Sequence, residues 1–190
     1  MRPGPHAPPE VPPPAAPTLD DGDVVLRAHR PGDLDGILEQ CRDPDTVRFT
    51  TVPHPYGREH AAGFLTQVAQ DWADGRAAAF AIEVDGRFAG TVDLRWEDGA
   101  FAEIGFGLAP WARGRGVMTR AARLALGWAF RDRGLAGAHW RAVVGNEGSL
   151  GVARACGFRL EGTVRGLLVH RGERLDGWIG TVLAEEFTAR

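Results

Sequence analysis

Glycines and arginines cluster between residues 109 and 119, where a predicted strand runs into a predicted helix. The first N–H groups of a helix have no partners inside it and lie at the positive end of its dipole, so they bind anions. Gly114 and Gly116 allow the backbone to approach a ligand closely. Arg113 and Arg115 carry guanidinium groups that fork onto phosphate oxygens. The segment therefore predicts a phosphate or pyrophosphate site.

The composition narrows the kind of phosphate ligand. All 22 basic side chains of this chain of 190 residues are arginines. A Walker loop, a Schiff-base lysine and a pyridoxal-phosphate lysine all need an amine that the chain does not contain. A dinucleotide fingerprint needs a third small residue three positions after its second glycine, but Thr119 stands there and no regular βαβ unit follows. The three lysine-dependent kinds of site are therefore excluded, and a dinucleotide-binding site is disfavoured.

A second motif supports a particular family. Residues 146–162 read Asn-Glu-Gly-Ser-Leu-Gly-Val-Ala-Arg-Ala-Cys-Gly-Phe-Arg-Leu-Glu-Gly, and residues 110–119 read Pro-Trp-Ala-Arg-Gly-Arg-Gly-Val-Met-Thr. Together, and in this order, the two segments resemble the GNAT acetyltransferase superfamily, in the form of its RimJ/RimL-type members. The resemblance extends from about Asp21 to the C-terminus.

The resemblance implies acetyl-CoA as the co-substrate and requires no metal. It places the pyrophosphate on the loop and the pantetheine arm in an opening beside the strand that precedes it. Asn146 and Ser149 would face the pantetheine and the thioester sulfur. The residues that it assigns to cofactor binding are Phe106, Leu108, Arg113, Gly114, Arg115, Gly116, Val117, Met118, Thr119, Asn146 and Ser149.

Amine attack on a thioester needs a base for the amine and a proton for the departing thiolate. We expect Glu103 to be the base, because it lies on the strand that leads into the loop. His170, Asp176 and a water molecule remain alternatives. Many members of the family use a tyrosine as the acid, but the single tyrosine here is Tyr56, far from the second motif. We therefore assign the acid role to Ser149.

Hydrophobic periodicity predicts the order β-α-α-β-β-β-α-β-α-β-β. This order implies an α/β (α+β) fold, a mixed sheet with helices on its faces. The resemblance to the GNAT superfamily implies that this seven-stranded sheet is mostly antiparallel, is flanked by about four helices and splays at the cofactor strand. The predicted helices are one that opens at 31–33, then 58–75, 116–133 and 147–155, and the predicted strands are 24–26, 79–84, 87–96, 100–108, 139–144, 164–170 and 175–183.

Residues 1–20 are expected to form a disordered tail, because residues 1–18 hold eight of the 13 prolines. Residues 21–190 are expected to form a single domain. The net charge of −3 gives no electrostatic reason to expect nucleic acid as a partner. No segment resembles a signal peptide or a membrane helix, so we expect a cytoplasmic protein with no membrane partner. The sequence leaves open whether the chain forms a homodimer.

These observations lead to a hypothesis about function. We expect an acetyl-CoA-dependent N-acetyltransferase that acts on a primary amine, either a protein N-terminus or a small molecule, by direct attack in a ternary complex. The alternative is a non-catalytic module that binds acyl-CoA on the same fold. The sequence does not identify the acceptor.

Overall fold

The computed structural model describes residues 16–97 and 99–188 of the chain. Within these residues, an eight-stranded sheet is flanked by five α-helices and two short 3-10 helices, at Pro31–Asp33 and Pro110–Ala112. The strands are β1 (Leu19–Asp20), β2 (Val25–Arg27), β3 (Ala77–Val84), β4 (Arg87–Trp96), β5 (Phe101–Leu108), β6 (Gly137–Val143), β7 (Arg159–His170) and β8 (Glu173–Leu183). The helices are α1 (Leu34–Arg42), α2 (Pro44–Phe49), α3 (Arg58–Ala73), α4 (Val117–Arg131) and α5 (Glu147–Ala155).

The described strands lie in the order β1-β2-β3-β4-β5-β6-β8-β7, and among them only the pair β5–β6 is parallel. This parallel ladder is short. It runs from Phe101 opposite Gly137 to Ile104 opposite Trp140 and then stops, although both strands continue. Beyond Ile104, β5 stays paired with β4 alone, and β6 stays paired with β8. The sheet is therefore open between β5 and β6, which confirms the predicted splay at the cofactor strand.

The mixed, mostly antiparallel fold is confirmed, with one strand and one helix more than predicted. Strand β1 begins at Leu19, so regular structure starts two residues before the expected domain boundary. Helix α2 was missed because its six residues are too few to show a hydrophobic period. Its start signal is nevertheless present, since Asp43 caps the helix through Thr46 N and Pro44 occupies the first turn. Most of the predicted tail, residues 1–15, lies outside the described residues.

The two faces of the sheet carry different residues. Val92, Leu94 and Ile104 are buried in the main core with residues of α4, and we call this side the α4 face. Directly paired residues point to the same side of an antiparallel ladder. Asp93, paired with Gly105, therefore lies on the opposite side, against α1 and α3, which we call the α1 face. Among the described residues, no helix is both long and apolar enough to span a membrane.

Candidate active site

A cleft of about 1540 Å³ passes through the opening between β5 and β6. Because the opening lies within the sheet, residues from both faces line the cleft. The α4 face contributes Val117, Met118, Asn146 and Ser149. The α1 face contributes Gln40, Tyr56, Phe64, Thr91 and Asp93. The cleft therefore gives two ligands access to one place from opposite sides of the sheet.

The predicted anion-binding loop connects β5 to α4. Gly114 and Gly116 adopt positive φ angles of 73° and 74°, a left-handed conformation that favours glycine. Helix α4 starts with the bond from Arg120 N to Gly116 O. No N–H of residues 114–119 donates a hydrogen bond to any described residue. These six consecutive donors, including those of Val117, Met118 and Thr119, have no partner among the described residues, and their binding of an anion stays a prediction.

The two arginines of the loop have different surroundings. Arg115 is exposed and forms no ion pair with the described residues. Arg113 binds α2 instead, because its Nη2 donates to Asp43 Oδ1 at 2.5 Å and to Thr46 Oγ1 at 3.2 Å. The same nitrogen donates to Leu108 O at 3.2 Å. The guanidinium of Arg113 thus connects the loop to α2, and its predicted contact with phosphate stays a prediction.

The remaining predicted cofactor residues lie around the opening. Phe106 and Leu108 line it at the end of β5 and pack against the main core. The side chain of Asn146 caps α5 by accepting from Ser149 N at 3.2 Å. Trp140 Nε1 donates to Ser149 Oγ at 2.9 Å. An indole N–H only donates, so the hydroxyl proton of Ser149 is left to be donated elsewhere.

Glu103, the predicted base, lies on the α1 face but does not line the cleft. Both of its carboxylate oxygens are bound by arginines. Arg95 Nη2 lies 2.8 Å from Oε1, and Arg141 Nη1 lies 2.6 Å from Oε2. A proton from an amine would have to displace one of these guanidinium groups.

The two alternative bases also have partners. His170 lines the cleft, and its Nε2 lies 3.2 Å from the carbonyl oxygen of Val47 in α2. Asp176 accepts from Gly166 N at 2.9 Å, where β7 is irregularly paired with β8, and it does not line the cleft. The structure therefore brings His170 to the site and leaves Asp176 outside it.

Three cleft residues were missed by the sequence analysis. Asp93 is a carboxylate without a hydrogen bond to the described residues. Gln40 is 8% exposed, and its amide lies beside Gly107, where a β-carbon would be 2.7 Å from Nε2. Tyr56 does reach the cleft, but burial raises the pKa of its hydroxyl, which makes it a poor acid. The only signal for Asp93 was a charge in the middle of a strand whose alternate residues are apolar.

No group of three or more His, Cys, Asp or Glu residues within the described ranges is placed to hold a metal ion. The described part of the cleft combines backbone donors, hydroxyl groups such as that of Ser149, and carboxylates such as that of Asp93. This set of groups suits the binding of an anionic ligand on one face and of a cationic ligand on the other.

Comparison with known proteins agrees with this geometry. Residues 23–159 match the family model described as an acetyltransferase (GNAT) domain. A RimL ribosomal L7/L12 alpha-N-protein acetyltransferase, solved with coenzyme A, superposes with a TM-score of 0.80 at 18% identity, covering 88% of this chain and 98% of that one. RimJ of Mycobacterium smegmatis, solved with CoA-disulfide, gives 0.78 at 22% identity over 86% and 83% of the two chains.

The microcin C7 self-immunity acetyltransferase MccE, solved with acetyl-CoA and AMP, gives a TM-score of 0.78 at 21% identity. It covers 86% of this chain and 93% of that one. At these identities the structures establish a shared fold, whereas the family model covers well over half of the chain. The predicted acetyl-CoA co-substrate agrees with that family. The chain therefore belongs to the GNAT acetyltransferase family and is an acetyltransferase.

Proposed function

We propose that this enzyme transfers the acetyl group of acetyl-CoA directly to a primary amine, with both substrates bound at once. The observation that carries the proposal is the opening between β5 and β6, which connects the two faces of the sheet. A thioester held in the opening is reachable from the α1 face while its phosphates stay on the loop before α4. No covalent acyl-enzyme is needed, because donor and acceptor can meet there.

The pyrophosphate of the cofactor binds the free N–H groups of residues 114–119. Ser149 donates a hydrogen bond to the sulfur and supplies the proton to the leaving thiolate. Its bond with Trp140 holds the oxygen in place without consuming the hydroxyl proton. A carboxylate on the α1 face accepts a proton from the amine.

The acceptor is either the α-amine of a protein N-terminus or a small-molecule amine. The RimL neighbour, an alpha-N-protein acetyltransferase, supports the first of these. An α-amine has a pKa of about 7.7 to 8.0, compared with about 10.4 for a lysine side chain. It therefore needs less help to reach the neutral form that attacks a thioester.

The test is thiol release from acetyl-CoA in the presence of short peptides with different N-terminal residues and of small primary amines, with the products identified by mass spectrometry. We expect acceptor-dependent release and an acetylated product. A reaction without acceptor measures background hydrolysis. If CoA binds tightly but no amine supports release, the chain is the non-catalytic acyl-CoA-binding module.

A further inference from the structure

Asp93 lies beside the point where the sheet opens. It is paired in register with Gly105, the first residue of β5 beyond the last parallel pair, Ile104 with Trp140. Its side chain lies on the α1 face and lines the cleft. An amine that approaches a thioester in the opening from this face therefore passes the Asp93 carboxylate.

The carboxylate lacks the donors that buried carboxylates normally have. Its Oδ1 is buried and receives no hydrogen bond, although Arg95 Nε lies 3.4 Å away. The side chain as a whole remains 26% accessible, and it does so at the cleft. Oδ1 is inaccessible to a ligand, but Oδ2 also receives no hydrogen bond from the described residues and is not buried, so it is the oxygen that can accept from a donor in the cleft. The neighbouring Glu103 differs, since arginines bind both of its oxygens.

Gly105 is part of the same arrangement. A β-carbon at this position would lie 2.8 Å from Asp93 Oδ2 and 3.0 Å from Arg95 Nη2. The absence of a side chain therefore leaves the space in which the Asp93 carboxylate lies against the backbone of β5. The Asp93 carboxylate thus occupies its position because its partner across the ladder, Gly105, has no side chain.

We propose that Asp93, rather than the sequence-predicted Glu103, accepts the proton of the acceptor ammonium group. The proposal rests on the proposed function. The ammonium gives one proton to Asp93, and the nitrogen lone pair then forms the N–C bond to the thioester carbonyl. The C–S bond breaks, the second proton leaves nitrogen for the thiolate by way of Ser149, and Asp93 releases its proton to solvent. Glu103 becomes a positioning residue that holds Arg95 and Arg141.

The electrostatics of the site agree with a base. Burial raises the pKa of the Asp93 carboxyl, nearby Arg95 opposes this rise, and Glu103 adds to it. A carboxylate whose pKa is raised towards the working pH holds an abstracted proton more firmly. Arg95 and Glu103 are the charged groups that act on Asp93. The other charged groups and histidines that line the same cleft are Asp45 and Arg48 of α2, Glu59 and His60 of α3, Arg113 of the loop, Arg141 of β6, Glu147 of α5 and His170 of β7.

The test compares Asp93→Asn with Glu103→Gln, using the best acceptor from the amine panel. We expect Asp93→Asn to lower kcat by about 10²-fold or more, the contribution typical of a general base. Glu103→Gln should lower kcat by less than about tenfold. Asp85→Asn, which removes an exposed carboxylate from the β3–β4 turn, should match the wild type. Thermal stabilisation by CoA should persist in all three, which shows that the cofactor side is folded.

The pH profile and a rescue experiment separate a chemical role from a structural one. Activity of the wild type should fall as the pH drops through the raised pKa of Asp93, because the protonated carboxyl cannot accept a proton. Asp93→Asn should lose this acid limb, and Glu103→Gln should keep it. Formate added to Asp93→Ala should restore part of the activity. A normal acid limb in Asp93→Asn, or a larger loss in Glu103→Gln, would overturn the proposal. A wild type inactive on every amine would instead refute the proposed function.

Discussion

The two sides of the cleft are built in different ways. The half that we propose to bind acetyl-CoA, here called the cofactor side, consists of consecutive backbone groups, residues 114–119, and of the start of a short helix at Asn146. The half that we propose to bind the amine, here called the acceptor side, consists of side chains from α1, α2, α3, β4 and the β7–β8 hairpin. Backbone donors depend on the local conformation of a few glycines, whereas the side chains depend on how distant elements meet. We therefore expect changes in backbone conformation to disrupt cofactor binding, and the loss of single side-chain contacts to disrupt binding of the acceptor.

The largest effect is expected on the cofactor side, from Gly116→Trp. Its φ of 74° costs a non-glycine residue about 1–2 kcal/mol, and the indole lies where phosphate should bind. CoA at a hundred times its Kd stabilises the wild type by about 2.7 kcal/mol, or about 5–11 °C in Tm. This shift should vanish in the variant. The matched control is Gly75→Ala, at a φ of 65° beyond the end of α3, which should keep the full CoA shift. An unchanged shift in Gly116→Trp would contradict the loop assignment.

Ser149→Ala should have the next largest effect, which we expect on the acetyl-transfer step, where Ser149 supplies a proton to the leaving thiolate. We expect kcat to fall by about 10²-fold and the Kd for CoA to change by less than about twofold. Trp140→Phe removes the donor to the serine and keeps the hydroxyl. It should therefore retain more activity than Ser149→Ala. If Ser149→Ala keeps normal turnover, the thiolate takes its proton from water.

The smallest effect is expected where Arg113 joins the two sides. Arg113→Gln and Asp43→Asn should each raise the acceptor KM several-fold and change the Kd for CoA by less than about threefold. The asparagine can still cap α2, so Asp43→Asn removes only the charge. Because both changes remove the same ion pair, the double variant should be no worse than the more impaired single variant. Arg115→Gln provides the comparison, since its exposed guanidinium should contribute to CoA affinity alone.

The ion pair between Arg113 and Asp43 should be intact at neutral pH. Burial alone would raise the pKa of Asp43, but hydrogen bonds from Arg113 and Thr46 lower it overall. A lowered pKa means that the stabilisation by this ion pair is present above the ordinary carboxyl pKa and is lost only as the pH falls through the pKa of Asp43 in the folded protein.

One outcome of the variant test would contradict this role of Arg113. A loss of CoA affinity in Arg113→Gln but not in Asp43→Asn would show instead that Arg113 binds phosphate.

The sequence predicted well those elements that have a clear period. Helix α5 and strand β4 have the predicted bounds, and α4 starts within one residue of its prediction. It missed α2, which is too short for a period, and it began β7 at 164 instead of Arg159. The early part of β7 carries Arg159, Glu161 and Gly162 on an edge strand with an irregular register, so no alternation marks it.

The choice of the general base shows the same limit of sequence-based prediction. Glu103 was chosen from its place on the strand before the loop, and that place is correct. Nothing in the order of residues indicates that two arginines from β4 and β6 bind its carboxylate, or that Asp93 lacks donors. Tyr56 was set aside because it is distant in the chain, yet it lines the cleft. Whether a titratable group has free lone pairs depends on its neighbours in space.

By itself, the sequence determined the family, the fold class and the glycine-rich loop whose backbone N–H groups we propose to bind the cofactor. These properties are local, because they depend on contiguous glycines and on hydrophobic periods within single elements. Only the tertiary structure decided that the β5–β6 ladder ends at Ile104, that Asp93 lies beside that end, and that Arg113 binds α2. Each of these properties depends on elements that are far apart in the chain, and the register between them sets which side chains meet.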